Sequence, residues 1–152
     1  MLNQPFYAGG LRFSCTRCSA CCRHESGFVF LSEKDVSVLA AHLQMKYPDF
    51  VGRYCRWVGA GWEERLSLKE KSNFDCIFWD QACTVYQCRP LQCRTFPFWQ
   101  STLSSRGAWA AAARDCPGIN AGAAHEREEI EDCLARRRGE RVIARTIAGG
   151  VS

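Results

Sequence analysis

Four cysteines fall within eight residues in the run Phe13-Ser-Cys-Thr-Arg-Cys-Ser-Ala-Cys-Cys-Arg-His24, at Cys15, Cys18, Cys21 and Cys22. Cys76, Cys83, Cys93 and Cys116 follow later in the chain. Thiolates are soft ligands that select zinc, cuprous copper or iron-sulfur clusters, and two-residue gaps let one turn aim successive sulfurs at a common centre. If the run were helical, the roughly 100° advance per residue would put Cys15, Cys18 and Cys22 on one face and swing Cys21 away from Cys22. In a knuckle loop the adjacent pair also diverges. Three of the four therefore serve one centre, and the other reaches a second centre or bridges two ions. Cys76, Cys83, Cys93 and Cys116 are too irregularly spaced to define a site alone, but they suit closing one supplied mainly by the first run.

The competing explanation for 11 cysteines is a disulfide framework, which depends on compartment. Met1-Leu-Asn-Gln-Pro-Phe-Tyr-Ala-Gly-Gly10 has no basic start, apolar core segment or small-residue cleavage site, so it does not read as a secretory signal. No stretch approaches the roughly 20 apolar residues of a membrane span. A reducing cytoplasm is the expected location, where clustered cysteines bind metal or do chemistry more often than they cross-link. The odd cysteine count and the adjacent pair Cys21-Cys22 also fit disulfides poorly.

The formal charge of +4 treats every cysteine as neutral. A divalent ion with four thiolates carries about −2, so two such sites would bring the total near zero. Arg136, Arg137, Arg138, Arg141 and Arg145 end a segment that begins with Glu126, Glu128, Glu129, Glu131 and Asp132, the order a helix dipole favours. This argues against nucleic acid as the partner.

The elements that must position the cysteines are legible in part. The chain's 152 residues suit a single domain spanning 1–152, and 47% hydrophobic content with 9 Phe and 5 Trp supplies a core. Phe28-Val-Phe-Leu31 reads as a short strand. Ser32 then caps a helix, with Asp35 as its box partner and Val36, Leu39, Ala40 and Leu43 as the apolar stripe. A second helix starts near Pro48, buries Phe50, Val51, Tyr54, Cys55 and Val58, and ends at Gly59-Ala-Gly61. Arg65–Lys69, Cys76–Trp79 and Thr84–Tyr86 read as strands, and a short helix begins at Pro90. Trp109–Ala113 is strand or helix, and the last helix covers about 125–138 with Ile130, Cys133 and Leu134 inward. The expected fold is α+β, a small irregular single domain with short strands and three to four helices, organised around cysteine metal sites.

The second cysteine group lies in Cys83-Thr-Val-Tyr-Gln-Cys-Arg-Pro-Leu-Gln-Cys-Arg-Thr-Phe-Pro-Phe-Trp99. With Cys15-x-x-Cys18-x-x-Cys21-Cys22, Cys76 before Cys83, Tyr86-x-x-Arg89-Pro90-x-x-Cys93-Arg94-x-Phe96-Pro97 and Cys116-Pro-Gly118, the chain resembles the CxxCxxCC cysteine-cluster family, also called YkgJ-like. That family is described as a zinc- or iron-chelating domain, and the resemblance spans about Phe13 to Gly122. It implies metal ligation by Cys15, Cys18, Cys21, Cys22, Cys76, Cys83, Cys93 and Cys116. A related cysteine domain occurs in a flagellin lysine N-methylase.

Three cysteines lie outside the family pattern. Cys55 and Cys133 fall on apolar helix faces as small buried hydrophobes, whereas Cys88 is a candidate for metal contact or a redox role. Arg89 and Arg94 are candidates for donating hydrogen bonds to ligand thiolates, against an alternative as structural salt bridges. Phe78, Trp79, Phe96, Phe98 and Trp99 are core residues that would also keep water from the ligands. His24 is the one histidine near the motif, but eight cysteines already suffice.

Three functional classes follow. The first is a cytoplasmic protein holding an iron-sulfur cluster or zinc or iron ions for redox, metal handling or cluster-dependent chemistry, with a protein redox or client partner. The balance between metals falls on iron-sulfur, because adjacent cysteines, aromatic surroundings and flanking arginines exceed what structural zinc needs. The second is a structural zinc domain that binds a partner through Arg136, Arg137, Arg138 and Arg141. The third is a protein-modifying enzyme related to the N-methylase. Against it, Gly9-Gly10, Gly59-Ala-Gly61 and Gly149-Gly150 form no Gly-rich strand-to-helix fingerprint for a nucleotide-like cofactor.

Overall fold

The computed structural model describes residues 3–16 and 28–147. The fold is α+β, with five α-helices and short antiparallel strands among the described residues. None of the described helices is long and apolar enough to cross a membrane. Contacts sort the chain into two compact units, one from residues 1–21 and 95–139, the other from 22–94 and 140–152.

In the first unit, β1 (Leu11–Phe13) pairs antiparallel with β4 (Ile119–His125). Leu11 faces His125 and Arg12 faces Ala124, after which the register slips so that Phe13 faces Ile119. Helix α4 (Arg106–Asp115) resolves the ambiguity at Trp109–Ala113 in favour of helix. Ser105 caps it, its Oγ accepting from Ala108 N at 3.0 Å. Helix α5 (Arg127–Gly139) begins two residues later than expected, because His125 is the last residue of β4. Its acidic start and arginine-rich end are as read, and Ile130 is fully buried with Cys133 and Leu134 packed beside it. The core of this unit joins Tyr7, Phe98, Leu103, Trp109, Cys116, Ile119 and Ile130.

In the second unit, α1 (Glu33–His42) carries the expected capping box: Ser32 Oγ accepts from Asp35 N, and Asp35 Oδ2 accepts from Ser32 N, both at 3.0 Å. Helix α2 (Tyr47–Tyr54) has Pro48 in its first turn but stops before Cys55. Cys55 to Ala60 form strand β2, not helix, and pair residue by residue with β3 (Glu63–Leu68). Val51, Tyr54, Cys55 and Val58 match a helical stripe, but Trp57 and Val58 are strand-formers and Gly61, at φ +65°, opens a two-residue hairpin turn. That hairpin overrides the local pattern.

The far edge of β3 is shared. β5 (Ala144–Thr146) covers Glu63–Arg65, while Phe30 bridges Ser67 and Leu31 N donates to Leu66 O. With β5 occupying the rest of that edge, Phe28–Leu31 makes one bridge instead of a strand. Cys76–Trp79 and Thr84–Tyr86 are not strands either. The first is a tight turn between the isolated bridges Glu70–Cys76 and Trp79–Cys83. The second runs into a 3-10 turn at Tyr86–Cys88. Phe78 and Val85, both buried, anchor these turns in the core, so packing of single side chains replaces sheet pairing. Helix α3 (Leu91–Thr95) follows Pro90 as expected.

Candidate metal centre

Cys18, Cys21, Cys22 and His24 lie outside the described residues, so the readings placed on them rest on sequence. Cys15 is exposed and immediately follows the segment that leaves β1. Ser14 N donates to Gly118 O at 3.2 Å, and Ser14 Oγ accepts from Ala123 N at 2.8 Å. Cys15 is the next residue after Ser14, and Cys116 precedes Gly118 by two residues. A side chain at Gly118 would be impossible here, since its Cβ would lie 2.1 Å from Ser14 O. Gly122, at φ +77°, is equally confined, with Ser14 Oγ 2.2 Å from a built Cβ. Gly118, in Cys116-Pro-Gly118, is thus a point of close approach between the segment after β1 and the start of β4.

Phe13 fixes where that run begins. Its ring meets Phe96 at 6.3 Å and Phe98 at 6.1 Å, both edge-on. Its carbonyl accepts from His125 Nε2 at 2.9 Å, while His125 Nδ1 lies 3.0 Å from Glu129 Oε2. Because a carbonyl can only accept, the proton of this hydrogen bond belongs to Nε2. His125 is a positioning residue that sequence reading missed. Its partner Phe13 is 112 residues away, and no local pattern signals the contact. Cys116 itself is buried in the core beside Phe98 and Trp109.

In the second unit, Cys76 and Cys83 are half-buried and pack against the core that contains Phe78 and Val85. Cys93 sits on α3, also half-buried. The donors fit zinc or iron: Cys76, Cys83 and Cys93 are half-buried and Cys116 is buried, which shields thiolate ligation, while Cys15 is exposed. Among the described residues, no three His, Cys, Asp or Glu side chains are grouped to hold a metal ion. Three of the eight nominated ligands fall outside that set.

The flanking arginines are held by their own turn at Nε. The Arg89 guanidinium stacks 3.8 Å over the Tyr86 ring and its Nε donates to Tyr86 O at 2.9 Å. Arg94 Nε donates to Arg89 O at 2.9 Å. Neither forms an ion pair among the described residues. Cys55 is buried as expected but on β2 instead of a helix, and burial pushes its thiol from the ordinary 9.0 up to about 12. Cys133 on α5 is half-buried and its thiol is likewise raised, by burial first and by Asp132 next.

Residues 14–117 match the family described as "Putative zinc- or iron-chelating domain". A curated relative, "Uncharacterized protein MJ0661" of Methanocaldococcus jannaschii, is 30% identical over 95 residues, covering 60% of this chain and 48% of its own length. The chain therefore spans about half the length of that relative. No solved structure matches. Since the family match takes in well over half of its 152 residues, with the cysteine order intact, the chain belongs to the CxxCxxCC family of zinc- or iron-chelating domains.

Proposed function

We propose that the chain chelates metal through Cys15, Cys18, Cys21, Cys22, Cys76, Cys83, Cys93 and Cys116, with an iron-sulfur cluster as the favoured occupant. It works in a reducing cytoplasm, in electron transfer, metal handling or cluster-dependent chemistry with a protein partner. The observation that carries this reading is the Ser14–Gly118 close approach, which lays the start of the first cysteine run against the Cys116 turn. The approach extends the β1–β4 pairing to residues 104 apart in sequence, and ligands far apart in the chain must converge in this way to share a centre.

When bound, an iron-sulfur centre supplies a one-electron store, and zinc supplies a fixed cross-link. The chain's own residues supply the rest. The cysteines give up their thiol protons to become ligands. Phe98 and Trp109 beside Cys116, and Phe78 beside Cys76 and Cys83, hold water away from those sulfurs. His125 holds the Phe13 carbonyl and so sets the direction in which the first run departs. The partner-binding zinc reading draws on arginines that are already committed in part: Arg136 pairs with Asp132 at 3.0 Å and Arg137 lies over Trp99 at 5.4 Å.

The test is anaerobic purification without a metal-affinity tag, followed by assay of iron, zinc and acid-labile sulfide and by a visible spectrum. Iron with sulfide and absorption that bleaches on reduction supports the cluster reading. Stoichiometric zinc without colour replaces it with a structural site.

A further inference from the structure

A cavity of about 140 Å³ in the second unit is lined by Lys34, Asp35, Val38, Gln87, Cys88, Arg89 and Arg94. Three of those side chains are cationic, and none is in an ion pair among the described residues. The one carboxylate, Asp35, is buried and already committed: Oδ2 accepts from Ser32 N and Oδ1 from Leu91 N, each at 3.0 Å. Its charge is thus stabilised by backbone donors and does not pair with the cations. Arg89 is held by Tyr86 and Arg94 by the Arg89 carbonyl, so both forks are tethered at Nε. Cys88 lies among them, half-buried and outside any disulfide. The nominated metal ligands Cys83 and Cys93 each stand five residues away from it in sequence.

A half-buried thiol in a pocket whose cations Lys34 and Arg94 are exposed to solvent selects its reaction partners by charge. Anionic molecules are concentrated beside it and cationic ones are repelled. We infer that this cavity is a site for a small carboxylate-bearing disulfide, whose carboxylates Lys34, Arg89 and Arg94 receive, and that Cys88 is the thiol it modifies. In the exchange the Cys88 sulfur, its proton given to solvent, attacks one sulfur of the bound disulfide. The small molecule's S–S bond breaks, a new S–S bond forms to Cys88, and the other half leaves as an anionic thiolate. The incoming disulfide is the oxidant, so no further electron acceptor is needed. The exchange does not depend on which metal the proposed ligands hold.

The test uses the intact, metal-loaded chain and two probes of opposite charge, glutathione disulfide and cystamine. Site-resolved mass spectrometry reads the rate of mixed-disulfide formation at Cys88 with each, and the urea-unfolded chain gives the reference ratio. The folded protein should favour glutathione disulfide at Cys88 by about threefold or more over that reference, the scale of a single nearby charge in a high-dielectric setting. Added salt should shrink the preference. Lys34→Glu should abolish most of it while leaving the fold intact, since an acidic residue in the first turn of α1 suits the helix dipole. A ratio equal to the unfolded reference, or one that survives Lys34→Glu, overturns the inference. So does loss of metal in Cys88→Ser, which would make Cys88 a ligand.

Discussion

Gly118 admits no side chain, because the Ser14 carbonyl oxygen would lie 2.1 Å from its Cβ and backbone cannot yield as a flexible side chain would. Gly118→Ala should therefore force apart the segments joined at Ser14 and Gly118, which flank the nominated ligands Cys15 and Cys116. An overpacking cost of about 1–3 kcal/mol, read from the urea midpoint, should come with reduced metal content. A destabilised variant with full metal would separate the close approach from metal binding. Cys55 makes a different statement, about pH. Its buried thiol titrates near 12 in the fold and ordinarily at 9.0. The unfolded chain thus loses this proton first, and stability falls as pH rises from the lower value towards the higher, by up to about 1.4 kcal/mol per pH unit. Cys55→Ala should reduce that alkaline slope without changing metal content, leaving the share of Cys133, whose thiol burial also raises, which denaturant titrations at about pH 8 and pH 9.5 would reveal. Tyr47, pushed to about 12 by burial first and by its bond to Glu33 next, contributes only above its ordinary 10.0 and so lies outside that comparison.

Among the elements, α1 does more than fill the core. Ser32 and Asp35 close its capping box, yet Asp35 also accepts from Leu91 N, 56 residues on, at the start of the helix that carries Cys93. Ser32→Ala should cost about 1 kcal/mol, the usual worth of an N-cap. Asp35→Ala should cost clearly more, about 2–4 kcal/mol, because two buried backbone donors are left without an acceptor. Equal losses for the two variants in urea unfolding would show that the Leu91 bond contributes nothing. Strand β2 teaches the complementary lesson. Cys55 and Trp57 fit inward positions of a strand as well as Cys55 and Val58 fit a helix face, and the pairing from Cys55–Leu68 to Ala60–Glu63 decides between them.

At the scale of the whole molecule, each compact unit draws on two separated stretches of chain, so neither can form without long-range contacts. Site formation and folding are then linked. Cys93→Ser or Cys18→Ser should lower metal content and thermal stability together, whereas Cys133→Ser should leave metal content unchanged. Full loading of the Cys93 variant would remove that residue from the ligand set.

The capping box at Ser32, the helix after Pro90, the acidic-to-basic course of α5 and the cysteine motif that marks the family were all legible in the sequence. Each is encoded within a few residues, by a side chain that meets its own turn or by a fixed spacing of one residue type. Tertiary structure alone decided that Cys55–Ala60 is a strand, that His125 holds Phe13 and that Gly118 receives Ser14. The reason is physical: a hydrogen bond or close approach between residues far apart in the chain depends on a partner whose position is set by the whole fold, and short strands such as Leu11–Phe13 carry too few side chains to announce theirs.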